Sequence, residues 1–247
     1  LILSPGGEPV MPKAIEGINN KNVFSIRNVT DIARLDSCLR TGQVNQIAVV
    51  GGGALGCEVA ENIVLAGKQV TLIEAADQIL TFFDYDMAQI LHKEMLDQGI
   101  SLILKDGVKK IRNDSIELVS GKIVPAQAVV MAIGIRPEST LAKNAGLEIA
   151  ENGCIRVNTN YQTSDPDIYA VGDVIEVFNA LTHKPMPLAL AFPAQLEARA
   201  AADHIYGLQN RQKGFLGSSV LRVFNLIAAC TCLLYTSPSP RDRTRSR

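Results

Sequence analysis

The stretch that decides the fold is "QIAVVGGGALGCEVAENIVLAGKQVTLIE", Gln46 to Glu74. Its opening run, Ile47–Val50, is short and apolar, which suits a parallel strand covered on both faces. Gly51, Gly53 and Gly56 follow in G-x-G-x-x-G spacing. The first glycine makes a tight turn, the second lets backbone approach a pyrophosphate, and the third lets a helix pack close to the strand. Leu55, Val59, Ile63 and Ala66 then recur at helical spacing, and Gly67 is a C-terminal stop. The amino end of that helix offers free N–H groups and a positive dipole end, so a pyrophosphate seat is expected over Gly53, Ala54, Leu55 and Gly56.

The context strengthens a motif that is weak alone. A second strand, Gln69–Ile73, ends at Glu74, 18 residues past Gly56. A carboxylate there accepts hydrogen bonds from ribose hydroxyls and repels a 2′-phosphate. Ala75 and Ala76 supply no arginine to receive one, which favours NADH over NADPH. The bland alternative is a strand-end acid facing solvent.

Working outward, the α/β rhythm continues. Asp84–Gln98 reads as a helix with Met87, Ile90, Leu91 and Met95 on one side, and Ser101–Leu104 as a strand. Val108–Arg112, Ser115–Leu118 and Lys122–Val124 read as short antiparallel strands joined by turn signals. Ala128–Ile133 is a further buried strand ending in Gly134, which either lets the chain pass close to a ligand in the crevice or simply turns. "DIYAVGDV" at Asp167–Val174 places Gly172 and Asp173 after another apolar strand; Asp173 either contacts a ligand hydroxyl or caps a helix. Pro193–His204 is helix-like, with Leu196, Ala200 and Ala201 on one side.

Composition sets bounds. The chain has 247 residues, 47% hydrophobic and 20% charged, enough for one or two domains with a sizeable core. No apolar run approaches the roughly 20 residues of a membrane span. The net charge of −1 is distorted by the terminal "RDRTRSR"; without it the chain has 20 basic and 24 acidic residues. "CLLYTSPSPRD" at Cys232–Asp242 resembles one reading frame of a transposase-type sequencing adapter, so 232–247 is read as translated adapter, expected to be disordered, and excluded. A nucleic-acid partner inferred from its arginines goes with it. Cys38, Cys57, Cys154 and Cys230 show no paired spacing and imply no disulfide framework. Cys57 near a helix start reads better as a packed small residue than as a reactive thiol. His92, His183 and His204 lack ligand spacing and read as solvated or capping residues; no metal site is expected.

In order, these pieces resemble the pyridine nucleotide–disulfide oxidoreductase family of flavoproteins, in its coenzyme A disulfide reductase and NADH oxidase/peroxidase branch. "LILSPG" at Leu1–Gly6 resembles the strand and turn closing the first part of the family's FAD domain. "GGGALGCE" through Glu74 resembles its inserted NAD domain, and "AIGIRPE" at Ala132–Glu138 the exit from it. "IYAVGDV" resembles the FAD motif whose aspartate binds the ribityl chain. "PLALAFPAQLEAR" at Pro187–Arg199 resembles the segment whose helix start faces the flavin ring. "GFLGSSVLRVFNLIAACT" at Gly214–Thr231 resembles the opening of the dimerisation domain.

The resemblance implies an α/β fold with two Rossmann-like, three-layer FAD/NAD(P)-binding domains, the NAD domain inserted in a truncated FAD domain, plus the start of an α+β dimerisation domain. The implied boundaries are 1–44 and 159–212 for the FAD segments, 45–158 for the NAD(H) domain and 213–231 for the dimerisation segment. It implies FAD and NADH as cofactors. The flavin contacts fall at Ser4, Gly6, Gly172, Asp173, Pro193 and Ala194. It further implies hydride transfer from NADH to flavin, and then to a disulfide, persulfide, peroxide or O2 through a cysteine upstream of Leu1. The parent is expected to be a cytoplasmic homodimer with no nucleic-acid or membrane partner, and this chain an internal fragment of it. A ferredoxin- or rubredoxin-type reductase, or an inert NAD-binding module, are the alternatives.

Two departures stand out. Many relatives carry a larger residue at Ala54. The flavin-facing segment usually reads Pro-Ala-Asn-x-Gln-Gly-Arg, whereas here Gln195 and Ala198 replace its asparagine and glycine. Finally, Val220–Ala229 is expected to present an apolar strand with no partner, an aggregation hazard.

Overall fold

The computed structural model describes residues 1–209 and 214–231; the adapter-like stretch from Cys232 lies outside them. The chain opens with strands β1 (Ile2–Leu3), β2 (Gly7–Pro9) and β3 (Val23–Ser25) and helix α1 (Val29–Arg40). The glycine motif follows as β4 (Gln46–Val50), α2 (Ala54–Leu65) and β5 (Gln69–Ile73). Next come α3 (Tyr85–Asp97), β6 (Ser101–Ile103) and a meander of β7 (Val108–Ile111), β8 (Ser115–Leu118) and β9 (Ile123–Pro125). β10 (Ala128–Met131), β11 (Ile135–Pro137) and α4 (Thr140–Asn144) lead to β12 (Tyr169–Ala170). β13 (Glu176–Phe178), β14 (Pro185–Pro187), α5 (Ala191–Ile205), β15 (Ser219–Val223) and β16 (Leu226–Cys230) complete the described elements.

Two compact units emerge. One comprises Leu1–Glu8 and Ile135–Ser218; the other comprises Pro9–Gly134 and the chain from Ser219. The divisions therefore fall away from the expected 44/45 and 158/159. The reason is pairing. β3 hydrogen-bonds in parallel to β10, Val23 opposite Val129, which draws the residues after Pro9 into the second unit.

That second unit is built on a parallel sheet ordered β3-β10-β4-β5-β6. β4 shows why its sequence is apolar at every position after Gln46. Ile47 and Val49 pack with Cys57, Ala60 and Ile63 of α2 and Leu91 and Met95 of α3. Ala48 and Val50 pack on the other side with Ile111, Ile116, Leu118 and Val124 of the meander. A strand buried on both faces has no use for alternation.

Two expectations about packing faces need correction. In α3, Leu91 and Met95 are buried, but Met87 and Ile90 are exposed; Ala88 and His92 complete the inward stripe. An inward face at 88, 91, 92 and 95 satisfies helical spacing as well as the one expected, and only the position of the neighbours decides. Nor is Val220–Ala229 one unpartnered strand. β15 and β16 pair antiparallel, with Val223 opposite Leu226. Leu221, Val223 and Phe224 are buried in the core shared with α2 and α3. The Phe224 N–H donates to Glu61 Oε2 at 2.8 Å, and the Asn225 side chain donates to Glu94 Oε1 at 3.0 Å. Val220 and Ile227 remain exposed on the hairpin.

In the other unit, β1 pairs in parallel with β12, Leu3 opposite Ala170. Tyr169, Ala170, Val171, Ile175, Ala200 and Ala201 form its core with Ile155. No helix among the described residues is long and apolar enough to cross a membrane.

Candidate functional site

The three glycines of the motif answer to different constraints. Gly51 has φ 107°, and a Cβ there would lie 2.4 Å from the Ala132 carbonyl oxygen. At Gly56 a Cβ would come within 1.9 Å of the Gly51 carbonyl oxygen. Both are required by the chain's own packing. Gly53 is not: its φ is −72°, open to any residue, and a Cβ would meet nothing within 4 Å. Gly53 is the N-cap of α2 and contributes no side-chain cap. The first-turn N–H groups at Ala54, Leu55 and Gly56 precede any intrahelical carbonyl partner, and the Cβ position at Gly53 beside them is open, a cradle that suits a diphosphate.

Glu74 closes this cradle. Its Oε2 accepts from the Gly52 N–H at 2.6 Å and its Oε1 from the Ala76 N–H at 2.8 Å. The carboxylate is thus oriented before any ligand arrives, with lone pairs remaining for further donors. Gly52 was not singled out in the sequence, yet it matters: a Cβ there would sit 2.8 Å from Ile79 Cγ2 and 3.2 Å from Glu74 Oε2. The signal was present as the middle one of three consecutive glycines, outside the spacing rule. Gly134 lies past the carboxyl end of β10 with φ 108°, and a Cβ there would meet nothing within 4 Å. It is a turn on the cradle's side of the sheet, since β10 lies beside β4.

Cys57, on the same helix, is buried; its thiol is pushed up to about 12 by burial, then by the charges of Glu74 and Glu58. Cys154 is likewise buried and pushed up to about 11 by burial, then by Glu176. Neither is a thiolate at neutral pH, as the packed-residue reading expects. His92 departs from expectation: it is buried, not solvated, and its Nε2 accepts from the Ile79 N–H at 3.0 Å. Among the described residues no group of histidine, cysteine and carboxylate side chains is placed to hold a metal.

The other unit gathers the second set of expected residues. The parallel pairing of β1 with β12 is extended by the Val171 N–H donating to the Leu3 carbonyl at 3.0 Å. Ser4 thus leaves β1 beside the point where Gly172 and Asp173 leave β12. Gly6 has φ 75° and Gly172 φ 83°, and the nearest atom to a Cβ at Gly172 is Ala194 Cβ at 3.8 Å. That contact also brings the first turn of α5, with Pro193 and Ala194, to the Gly172 turn. Asp173 caps no helix, contrary to one reading; the chain turns through an Ile175 N–H to Gly172 carbonyl bond into β13. Burial raises the Asp173 carboxyl above the ordinary range. Glu197 of α5 is 1% exposed, and its Oε2 accepts from the Gly172 N–H at 2.7 Å.

The fold and this cradle define a dinucleotide-binding α/β protein. Comparison with known proteins narrows the class. The family model for pyridine nucleotide-disulphide oxidoreductases matches residues 1–194. An NADH oxidase of Methanocaldococcus jannaschii is 35% identical over 230 residues, covering 92% of this chain and 51% of the relative. A coenzyme A disulfide reductase of Staphylococcus aureus is 30% identical over 226 residues, covering 91% and 51%. The reduced Bacillus anthracis CoADR-RHD crystal structure superposes with a TM-score of 0.92 at 39% identity, covering 99% of this chain and 43% of that one. The chain belongs to the pyridine nucleotide-disulphide oxidoreductase family, and it spans about half the length of the curated relatives it matches.

Proposed function

We propose that this chain carries the NADH site, and part of the flavin site, of an FAD-dependent NADH oxidoreductase. The observation that carries the reading is Gly53: the one motif glycine whose smallness serves no protein atom stands at the amino end of α2, beside a carboxylate already oriented by Gly52. The N–H groups of Ala54, Leu55 and Gly56 hold the pyrophosphate, and Glu74 accepts from the adenosine ribose hydroxyls. Gly134 leaves room for the chain to pass close to the dinucleotide.

Ser4, Gly6, Gly172 and Asp173 fit contacts to FAD. A Cβ at Gly6 would meet nothing within 4 Å and one at Gly172 would only touch Ala194 Cβ at 3.8 Å, and Asp173 offers a carboxyl to a ligand hydroxyl. The first turn of α5, at Pro193 and Ala194, presents its positive dipole end where negative charge builds on a flavin edge. Bound flavin supplies the hydride-accepting chemistry. Relatives named as a coenzyme A disulfide reductase and an NADH oxidase, and a similar solved structure of an NAD-dependent persulfide reductase, support an acceptor among disulfides, persulfides and O2; peroxide as acceptor and a homodimeric cytoplasmic parent belong to the same proposal.

Titration calorimetry with NADH and NADPH tests the reading. NADH binds more tightly than NADPH, and Glu74→Ala weakens NADH about tenfold, as the loss of charge-assisted hydrogen bonds requires. Equal binding of NADPH contradicts the role given to Glu74.

A further inference from the structure

We infer that His92 is a positioning residue for the dinucleotide site, acting through Ile79, Leu80 and Gly52 on the carboxylate of Glu74. The inference deepens the proposed function and rests on it. His92 sits on α3 and takes no part in the motif. Its Nε2 accepts from the Ile79 N–H at 3.0 Å, in the loop between β5 and α3. The next residue, Leu80, donates its N–H to the Gly52 carbonyl at 2.7 Å. Gly52 in turn donates to Glu74 Oε2 at 2.6 Å. Three hydrogen bonds, linked through the backbone at Ile79–Leu80 and at Gly52, therefore join a helix to the ribose-binding carboxylate.

The loop needs such a hold. Leu80 stands at φ 50°, a backbone conformation that residues with side chains adopt rarely, yet it is buried. Conformations of that kind persist when their surroundings over-determine them. Gln78 adds a second tether, its Nε2 donating to the Phe83 carbonyl at 2.9 Å. Ile79 also sets the limit on Gly52, lying where a Cβ would go. Without the imidazole acceptor the Ile79 N–H is buried and unpaired, and the loop is free to withdraw from Gly52.

The geometry fixes the tautomer. Because Nε2 accepts, the ring proton is on Nδ1, which faces Gln89 Oε1 at 3.2 Å. The reverse orientation of the Gln89 amide would call for a lone pair on Nδ1 and so a proton on Nε2, directed at another donor. Burial lowers the His92 pKa, which keeps the ring neutral and Nε2 able to accept.

The test uses the whole chain at neutral pH, as wild type, His92→Leu and His92→Gln, with NADH in a calorimeter and far-UV circular dichroism to confirm folding. Glutamine carries an acceptor at about the reach of Nε2; leucine carries none. We expect His92→Leu to bind NADH about five- to tenfold more weakly, the effect of one lost hydrogen bond, and His92→Gln to recover wild-type affinity. Long-range proton–nitrogen NMR of the wild-type ring should show Nδ1 protonated, and this needs no variant to fold. A folded His92→Leu with wild-type affinity, a His92→Gln as weak as His92→Leu, or an Nε2-protonated ring overturns the inference. If the wild-type chain itself gives no heat with NADH, the proposed function falls and the inference with it; an unaffected His92→Leu beside a binding wild type removes the inference alone.

Discussion

Gly53 and Gly56 stand three residues apart and obey different masters. A side chain at Gly56 drives into the Gly51 carbonyl, whereas one at Gly53 enters empty space. Gly56→Ala should therefore cost about 3 kcal/mol of stability, an overpacking penalty at the junction of strand and helix. Gly53→Ala should lose only about 1 kcal/mol of stability, the difference between glycine and alanine at an N-cap, and bind NADH at least tenfold more weakly, roughly 1.4 kcal/mol of binding free energy. Paired melts and titrations of the two variants check this; a Gly53→Ala that binds normally contradicts the cradle.

Glu197 makes a prediction about pH at the same scale. Its carboxyl is raised, first by burial and then by the nearby Asp173 charge, while the Gly172 N–H pulls it back. Its Oε1 has no hydrogen-bond partner among the described residues. A carboxyl whose folded pKa lies above the unfolded value gives its full stability below about 4.3, the ordinary glutamate pKa. That stability is lost as pH rises through the folded pKa. Glu197→Gln keeps an acceptor for Gly172 and cannot ionise. Melting curves at pH 5 and pH 8 should show the wild type losing stability relative to the variant as pH rises; parallel losses contradict the assignment. Gly51 and Gly56 were legible in the sequence because backbone sterics leave no room for a side chain at either, and Gly53 and Glu74 stood out by their spacing from them. His92 was not, because its partner is a backbone N–H in a loop whose path is set by Gly52.

At the level of elements, the β15–β16 hairpin belongs to the core it covers. Phe224 is buried with α2 and α3, and its N–H is held by Glu61, itself largely buried. Phe224→Ala should destabilise the chain by about 3–5 kcal/mol, the usual cost of emptying an aromatic core position. Urea unfolding followed by circular dichroism measures it. An unchanged midpoint would show that the hairpin contributes nothing to that core. The sequence displayed the apolar residues of this hairpin but not its turn, since Phe224-Asn225 carries no glycine and Phe224 adopts φ 50° under tertiary constraint. The rotated face of α3 has a similar origin: spacing alone fits two stripes, and the loop carrying Ile79 and Leu80 selects the one containing His92.

For the molecule as a whole, the order of motifs along the chain revealed the family before any geometry was known. The division into units was less accessible. Local pattern identifies strands, but whether β3 joins β10 depends on hydrogen bonds between residues more than a hundred positions apart. Glu74 and Gly134 in one unit, and Ser4, Gly172 and Asp173 in the other, nonetheless follow the carboxyl ends of parallel strands, where ligands of open α/β sheets bind. The central claim is that a diphosphate lies on the amino end of α2 while Glu74 holds the adenosine ribose. A crystal structure of the chain soaked with NADH tests it most directly. The account predicts pyrophosphate oxygens at hydrogen-bond distance, about 2.7–3.2 Å, from the N–H groups of Ala54 and Leu55, with ribose hydroxyls on the Glu74 carboxylate. A dinucleotide bound elsewhere, or a Glu74 still bonded only to Gly52 and Ala76 with the sugar out of reach, would contradict it.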